Sequence, residues 1–221
     1  MIIVIDGPAG SGKSSTAKAL SNQLNIHFLD SGALYRAVTY YWILKGKPDQ
    51  EKFFDLLPAL DLNVDLTNNS FTVWLNGNDV SDDIRSSAVA NHVSDIASLP
   101  RVRKKVNQFM RELVEQNTFI ADGRDLGTAV FPDADLKFYM DASIEERADR
   151  RYQEMEASGH AVTRERVIQN LKERDHKDKT RDADPLKKAD DAIVIDTTGK
   201  TFEEQVAEMA AIINNKLHIN S

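Results

Sequence analysis

Residues 7–14 read Gly-Pro-Ala-Gly-Ser-Gly-Lys-Ser, a full match to the phosphate-binding pattern G-x-x-x-x-G-K-[ST]. No other feature limits the fold of this chain so tightly, because such a loop cradles phosphate only where a strand runs into a helix. The flanks meet that demand. Met1–Ile5 is an apolar, β-branched run, and Lys13–Asn25 carries Ala17, Leu20 and Leu24 at helical spacing. Gly7, Gly10 and Gly12 let the backbone curl so that successive N–H groups point inward. The helix N-terminus adds about half a positive charge. Lys13 is placed to reach the β- and γ-phosphates and the Ser14 hydroxyl to bind Mg²⁺, with Ser11 and Ser15 completing the nucleotide-binding loop.

Further apolar runs extend the pattern. Ile2–Ile5, Ile26–Leu29, Thr118–Ala121, Leu136–Met140 and Ala192–Ile195 read as core strands, most of them separated by helical stretches. That alternation predicts a parallel sheet covered on both faces, with ligands outside the carboxyl ends of the strands. Each run ends in a polar cluster: Asp6-Gly7, Asp30-Ser31, Asp122-Gly123-Arg124-Asp125, Asp141 and Asp196-Thr197-Thr198. One such aspartate is an ordinary cap or turn residue. Five beside the loop predict a shared site.

Two segments interrupt the rhythm. Residues 62–85 alternate apolar and polar residues between turn signals, which predicts an antiparallel insertion, with Trp74 as one of its packing residues. Residues 143–182 are densely charged and helical in pattern, broken at Ala157-Ser158-Gly159-His160. At 221 residues, one α/β domain with small insertions is expected.

Charge narrows the function. Lys and Arg total 28 against 35 Asp and Glu, a net −7, which argues against general nucleic-acid binding. There is no cysteine, so disulfides and thiolate metal sites are excluded. No basic leader and no membrane-length apolar stretch is present. A soluble cytoplasmic protein is expected by elimination.

Four clusters carry the chemistry. Phe119–Asp122 is a short strand ending in an aspartate of the kind that holds Mg²⁺ directly or through water in phosphate-loop proteins. In Leu29–Arg36, Asp30 or Ser31 can cap the next helix, and Arg36 is either a solvated residue or a fork for phosphate. Arg101-Val102-Arg103-Lys104-Lys105 reads alone as a solvated helix start. Arg147, Arg150 and Arg151, followed by Arg174, Asp175, Lys177, Asp178, Lys179 and Arg181, are either helix-face pairs or the cations of a lid hinged at Gly159. No histidine spacing suggests a metal site.

Together the segments at 7–14, 29–36, 100–103, 122–128 and 173–181 resemble the bacterial-type cytidylate kinases, a family of nucleoside monophosphate kinases, over nearly the whole chain. The insertion near 62–85 is also a mark of that family. The resemblance implies a P-loop NTPase fold of the α/β class: a three-layer parallel sheet with a small antiparallel β insertion and a helical lid. It implies a single kinase unit over 1–221, a monophosphate-binding region over 36–105 and a lid over 150–175. It implies transfer of the ATP γ-phosphoryl group to CMP or dCMP. With the Mg²⁺ read from the loop, the expected partners are small-molecule substrates, with neither nucleic acid nor membrane engaged, and nothing in the sequence requires more than a monomer.

By matching position, Ser94, Arg103 and Asp125 would contact cytosine. Asp30, Ser31, Tyr35, Arg36 and Arg124 would lie on the acceptor side, with Ser31, Arg36 and Arg124 on its phosphate. Arg174 and Asp178 would face the sugar, and Arg181 would lie near the phosphates. Arg150 and Arg151 would belong to the lid or nucleotide side. Lys13, Arg124, Arg150 and Arg181 would supply the catalytic charge, and Ser14 and Asp122 the metal contacts.

Base chemistry agrees with these roles. Cytosine offers an amino donor and two acceptors, N3 and O2, which an aspartate and an arginine complement. Uracil would set an acceptor against the carboxylate. No dedicated general base is evident, and positioning with cationic charge suffices for phosphoryl transfer. An adenylate or shikimate kinase is the nearest rival. A GTPase-like switch would carry Asn-Lys-x-Asp, whereas Asn215-Lys216-Leu217-His218 lacks the aspartate.

Overall fold

β-Branched and aromatic runs form the centre of the molecule. In the computed structural model, which describes residues 1–67, 70–115, 117–157, 159 and 162–217, all five expected core strands are present. They are β1 (Ile2–Asp6), β2 (His27–Asp30), β6 (Phe119–Asp122), β7 (Leu136–Asp141) and β8 (Ile193–Asp196). They form a parallel sheet in the order β2-β6-β1-β7-β8. Each ends on its aspartate, one residue beyond the apolar run.

Alternation along β1 explains the layers. Ile3 and Ile5 face a core built with Ala17, Leu20 and Leu24 of α1 (Lys13–Leu24) and Met209, Ala210 and Ile213 of α8 (Phe202–Leu217). Val4 faces the opposite core. There it meets Ala33, Leu34 and Val38 of α2 (Ser31–Leu44) and Val102, Val106 and Met110 of α5 (Pro100–Val114). Successive side chains of a strand point to opposite faces, so one short run supports both helix layers.

The antiparallel insertion is present as β3 (Leu62–Asp65), β4 (Thr72–Leu75) and β5 (Asn78–Asp79); Asn68 and Asn69 of its first turn lie outside the described residues. Leu62, Val73 and Leu75 pack into the α2 core together with Phe53 of α3 (Gln50–Leu56). Trp74 does not pack as expected. It is 37% exposed, because its neighbours Val73 and Leu75 take the buried face and the pleat turns Trp74 outward.

The charged stretch forms a helical hairpin of α6 (Ile144–Ala157) and α7 (Arg164–Thr180). Of the expected break, Ser158 and His160 lie outside the described residues, as does His218 near the chain end, while Gly159 has φ +75. The hairpin has its own apolar seam, in which Ala148, Val167 and Leu171 pack on Ala9 of the phosphate loop. No helix among the described residues is long and apolar enough to cross a membrane.

Candidate functional site

The carboxyl edge of the sheet, α2, α4 (Ser87–Ser98), α5 and the hairpin enclose an open cleft of about 830 Å³. Its walls bring together Gly10, Gly12, Lys13, Ser14, Ser15, Asp30, Ser31, Tyr35, Arg36, Ser94, Arg103, Asp122, Arg124, Asp125, Arg150, Arg151, Arg174, Asp178 and Arg181. Gly7 and Ser11 do not line it. Gly7 lies against β7, where an added Cβ would sit 2.0 Å from the Met140 carbonyl oxygen, so no larger residue fits there. Ser11 is fully buried and supports Lys13 from beneath.

The loop is arranged for an anion. Gly10 and Gly12 have φ of +76 and +88, and no side chain caps the start of α1, which leaves its first N–H groups for a ligand. Lys13 is buried and donates to the Pro8 carbonyl at 2.6 Å and the Ser11 hydroxyl at 3.2 Å. Burial and the nearby Arg124 hold its ammonium well below the usual lysine range, against the pull of Asp122, Asp6 and Asp178.

Ser14 donates to Asp122 Oδ2 at 2.5 Å. The other carboxylate oxygen, Asp122 Oδ1, is buried without a partner. Burial, with Asp30 beside it on β2, pushes the Asp122 pKa up to about 7, while the Ser14 hydroxyl bond, Lys13 and Arg124 oppose the shift. An orphaned buried carboxylate oxygen beside a serine hydroxyl fits a bound cation. Among the described residues no cluster of three acidic or histidine ligands exists, so most of the coordination of such a cation must come from phosphate and water.

The five terminal aspartates do not form one site. Asp30 caps α2 through Ala33 N at 2.8 Å. Asp6 receives Leu126 N at 2.9 Å and Gly127 N at 2.7 Å, which fixes the turn after Asp125. Asp141 and Asp196 are exposed turn residues that accept Ala142 N and Thr198 N, each at 2.9 Å. Of the five only Asp30 and Asp122 line the cleft, because the other three carboxylates are engaged by backbone N–H groups of turns outside it.

At one end of the cleft every arginine is matched. Arg103, 2% exposed, donates through Nε to Asp184 at 2.7 Å, through Nη1 to the Ala97 carbonyl at 3.3 Å and through Nη2 to Asp125. Its guanidinium lies 5.4 Å over the Tyr35 ring, a stabilising cation–π arrangement, and the Tyr35 hydroxyl donates to Asn107 at 2.9 Å. Arg181 donates to Asp125 Oδ1 at 2.7 Å and to the Asp184 carbonyl. Expected near the phosphates, Arg181 is set here against Asp125, because a carboxylate this buried draws in the nearest cations. Ser94 faces the same end of the cleft without a hydrogen-bond partner of its own among the described residues.

At the other end Arg36 and Arg174 have no direct ion pair among the described residues. The Arg36 side chain has only the Ile84 carbonyl at 3.3 Å, and the Arg174 side chain forms no hydrogen bond or ion pair among the described residues. Burial lowers the pKa of both and the charges of Arg124 and Arg151 add to the effect, against the opposing pull of Asp30 on Arg36 and of Asp178 on Arg174. For Arg174 the result is about 10. Arg124 stands between the two ends, tied to Asp178 at 3.0 Å and to the Gly123 carbonyl at 3.1 Å. Ser31 donates its hydroxyl to the Asp122 carbonyl at 2.6 Å, so it joins β2 to β6 as well as facing the cleft.

The hairpin arginines divide in a way the sequence pattern does not separate. Arg147 is buried, pairs with Asp175 at 2.6 Å and donates to the Ala9 carbonyl at 2.9 Å, while Asp175 accepts Ala9 N at 3.1 Å. This pair is a strut beneath the phosphate loop and not a cation for the lid. Arg150 braces the wall through the Thr197 carbonyl at 2.8 Å, its hydroxyl at 3.1 Å and Glu146 at 3.3 Å. Arg151 is on the rim, paired with Glu154 at 2.9 Å. Sequence reasoning missed Asn107, Asp184 and Gln205. The last lines the cleft beside Gly12 and donates to Thr16 at 2.8 Å, and its Oε1 is buried without a partner.

The chain is similar to known proteins over nearly its whole length. A family model described as Cytidylate kinase matches residues 3–215. The chain is 42% identical over 214 residues to a cytidylate kinase of Clostridioides difficile (strain 630), covering 97% of this chain and 98% of the relative. It is 41% identical over 218 residues to a cytidylate kinase of Carboxydothermus hydrogenoformans, covering 98% of each. Among solved structures, an uncharacterized protein from Eubacterium ventriosum ATCC 27560 shares the fold with a TM-score of 0.52 at 12% identity, covering 97% of this chain and 98% of that one.

Proposed function

Since the chain belongs to the cytidylate kinase family, and so transfers the γ-phosphoryl group of ATP to CMP or dCMP, we propose that its two cleft ends divide that work. The arginines without direct ion pairs, Arg36 and Arg174, take nucleotide phosphates or the sugar beside them, and the matched set Arg103, Asp125 and Arg181 takes the base. The observation that carries this reading is the contrast in ion pairing between them. Half-buried cations crowded by like charges and without direct ion pairs are relieved when an anionic ligand supplies counter-charge.

The donor phosphates lie against Lys13 and the open start of α1. Ser14 and Asp122 would hold Mg²⁺, a reading supported by the unpartnered Asp122 Oδ1. When bound, the ion would neutralise charge on the transferring phosphate. Lys13 leaves its two neutral oxygen partners to meet the phosphates, and Arg124 lies where charge from both substrates converges. Asp125 retains acceptor capacity on each oxygen after its arginine bonds, enough for the cytosine amino group. No side chain is required as a general base, since orientation and fixed cations supply the rate.

The chain is read as one kinase unit over 1–221. Its acceptor region spans 36–105 and its hairpin lid lies near 150–175. A monomer is the simplest assembly for this reading, since nothing in the sequence requires a second chain, and the absence of cysteine fits the reducing cytoplasm. A coupled assay of ADP formation with CMP, dCMP, UMP, AMP and shikimate side by side tests the acceptor end. CMP and dCMP should dominate, and equal turnover of AMP or shikimate would refute the assignment of Arg103 and Asp125 to cytosine.

A further inference from the structure

Asp184 lies just beyond α7, outside every motif the sequence displays. Its backbone is left-handed, with φ +48, a conformation that among non-glycine residues Asp and Asn tolerate best. That turn aims two oxygen acceptors at the base end of the cleft. The carbonyl accepts Arg181 Nε at 2.8 Å and Nη2 at 2.6 Å. The carboxylate accepts Arg103 Nε at 2.7 Å and Asn107 Nδ2 at 3.4 Å. One residue therefore holds both arginines that flank Asp125.

The bond to Nε matters because of guanidinium geometry. The group is planar and carries five N–H donors in a fixed fork. Asp125 engages a single Nη2 donor of Arg103, which alone leaves the plane free to swing about that contact. A second carboxylate on Nε fixes the plane, and the Ala97 carbonyl on Nη1 then sets its tilt. Two N–H donors remain, and their direction is decided by those three bonds. Behind Asp184 a second, open cleft of about 510 Å³, bordered by Lys104, Asn107 and Arg111, keeps the carboxylate partly hydrated; the Asp184 side chain is 34% exposed, against 2% for Arg103.

We propose that Asp184 is a positioning residue for acceptor recognition. Its carboxylate fixes the plane of Arg103 and its carbonyl fixes Arg181, so that Arg103 and Asp125 present one rigid pattern to the base. It also cancels the charge of a second arginine, so the base end favours a neutral ring over another phosphate. This rests on the assignment of Arg103 and Asp125 to the base.

Two variants test it. Asp184→Gly removes the carboxylate while suiting the left-handed backbone and keeping the carbonyl. Asp184→Asn keeps an oxygen acceptor in the same conformation without the charge. Loss of the charge-assisted bond should raise KM for CMP about tenfold in Asp184→Gly, with kcat and KM for ATP within about twofold. Asp184→Asn should recover most of that loss. In an Arg103→Ala background, Asp184→Gly should add less than about twofold, because the residue acts through Arg103.

Wild-type KM for CMP in Asp184→Gly, or equal rises for CMP and ATP, would overturn the proposal. So would a full additional loss on top of Arg103→Ala. If Asp184→Gly is silent while Arg103→Ala still weakens CMP, the positioning role alone fails. If Arg103→Ala is itself silent, the assignment of the base end fails with it.

Discussion

The two ends of the cleft are built from the same residue types and behave oppositely. At the end proposed for the base, Arg103 and Arg181 share the buried carboxylate of Asp125 and are held again by Asp184. At the end proposed for the phosphates, Arg36 and Arg174 face like charges with no direct carboxylate pair, although Asp30 and Asp178 lie near enough to oppose them, and Lys13 rests on neutral oxygens. The first arrangement is complete before any ligand arrives and so can recognise a shape. The second carries excess positive charge that an anion relieves, so it gains from binding and adapts to it. Counting arginines does not separate these roles, but counting their counter-charges does.

The largest effect is expected where excess charge meets the reacting group. Lys13→Ala should lower kcat at least ~100-fold with a milder effect on CMP binding. Lys13 forms no direct ion pair among the described residues, and the nearby buried Asp6 and Asp122, already pushed up by burial, shift further toward the protonated form when its charge is lost, so the variant should still fold. Near-normal turnover would show that charge at this end does not drive transfer. A smaller effect is expected at the base end, in specificity. Asp125→Asn supplies a donor where the carboxylate only accepts. It should lose about 10- to 100-fold in kcat/KM for CMP, the value of roughly 1.5–3 kcal/mol for one charge-assisted bond, and lose much less for UMP. An unchanged CMP/UMP ratio would make Asp125 only a partner for Arg103 and Arg181.

The legibility of these features in sequence follows their range of action. The five core strands are local apolar runs, and the loop at 7–14 is contiguous, so both are readable directly. The residue-by-residue resemblance brought Ser94, Arg103 and Asp125 to one cleft although no spacing links them. What escaped acts at a distance or through a partner. Asp6 fixes a turn 120 residues away, Gln205 reaches Thr16 across 189 residues, and Asp184 meets Arg103 across 81. Arg147 and Asp175 read as helix-face pairs or lid charges because burial, not identity, makes them a strut. Trp74 looked like packing because pattern alone cannot say which face of a short strand is covered.

The contrast between the two ends is tested most directly by differential scanning calorimetry of the ligand-free protein with one arginine removed from each. Arg103→Met takes a counter-charge from buried Asp125, at a cost of about 2–4 kcal/mol, and should lower Tm by about 5–15 °C for a chain of this size. Arg174→Met removes a cation that has no carboxylate partner, and should leave Tm unchanged or raise it by a few degrees, even though activity falls. Equal losses of Tm in both variants would contradict the account, since the phosphate end would then be as internally matched as the base end.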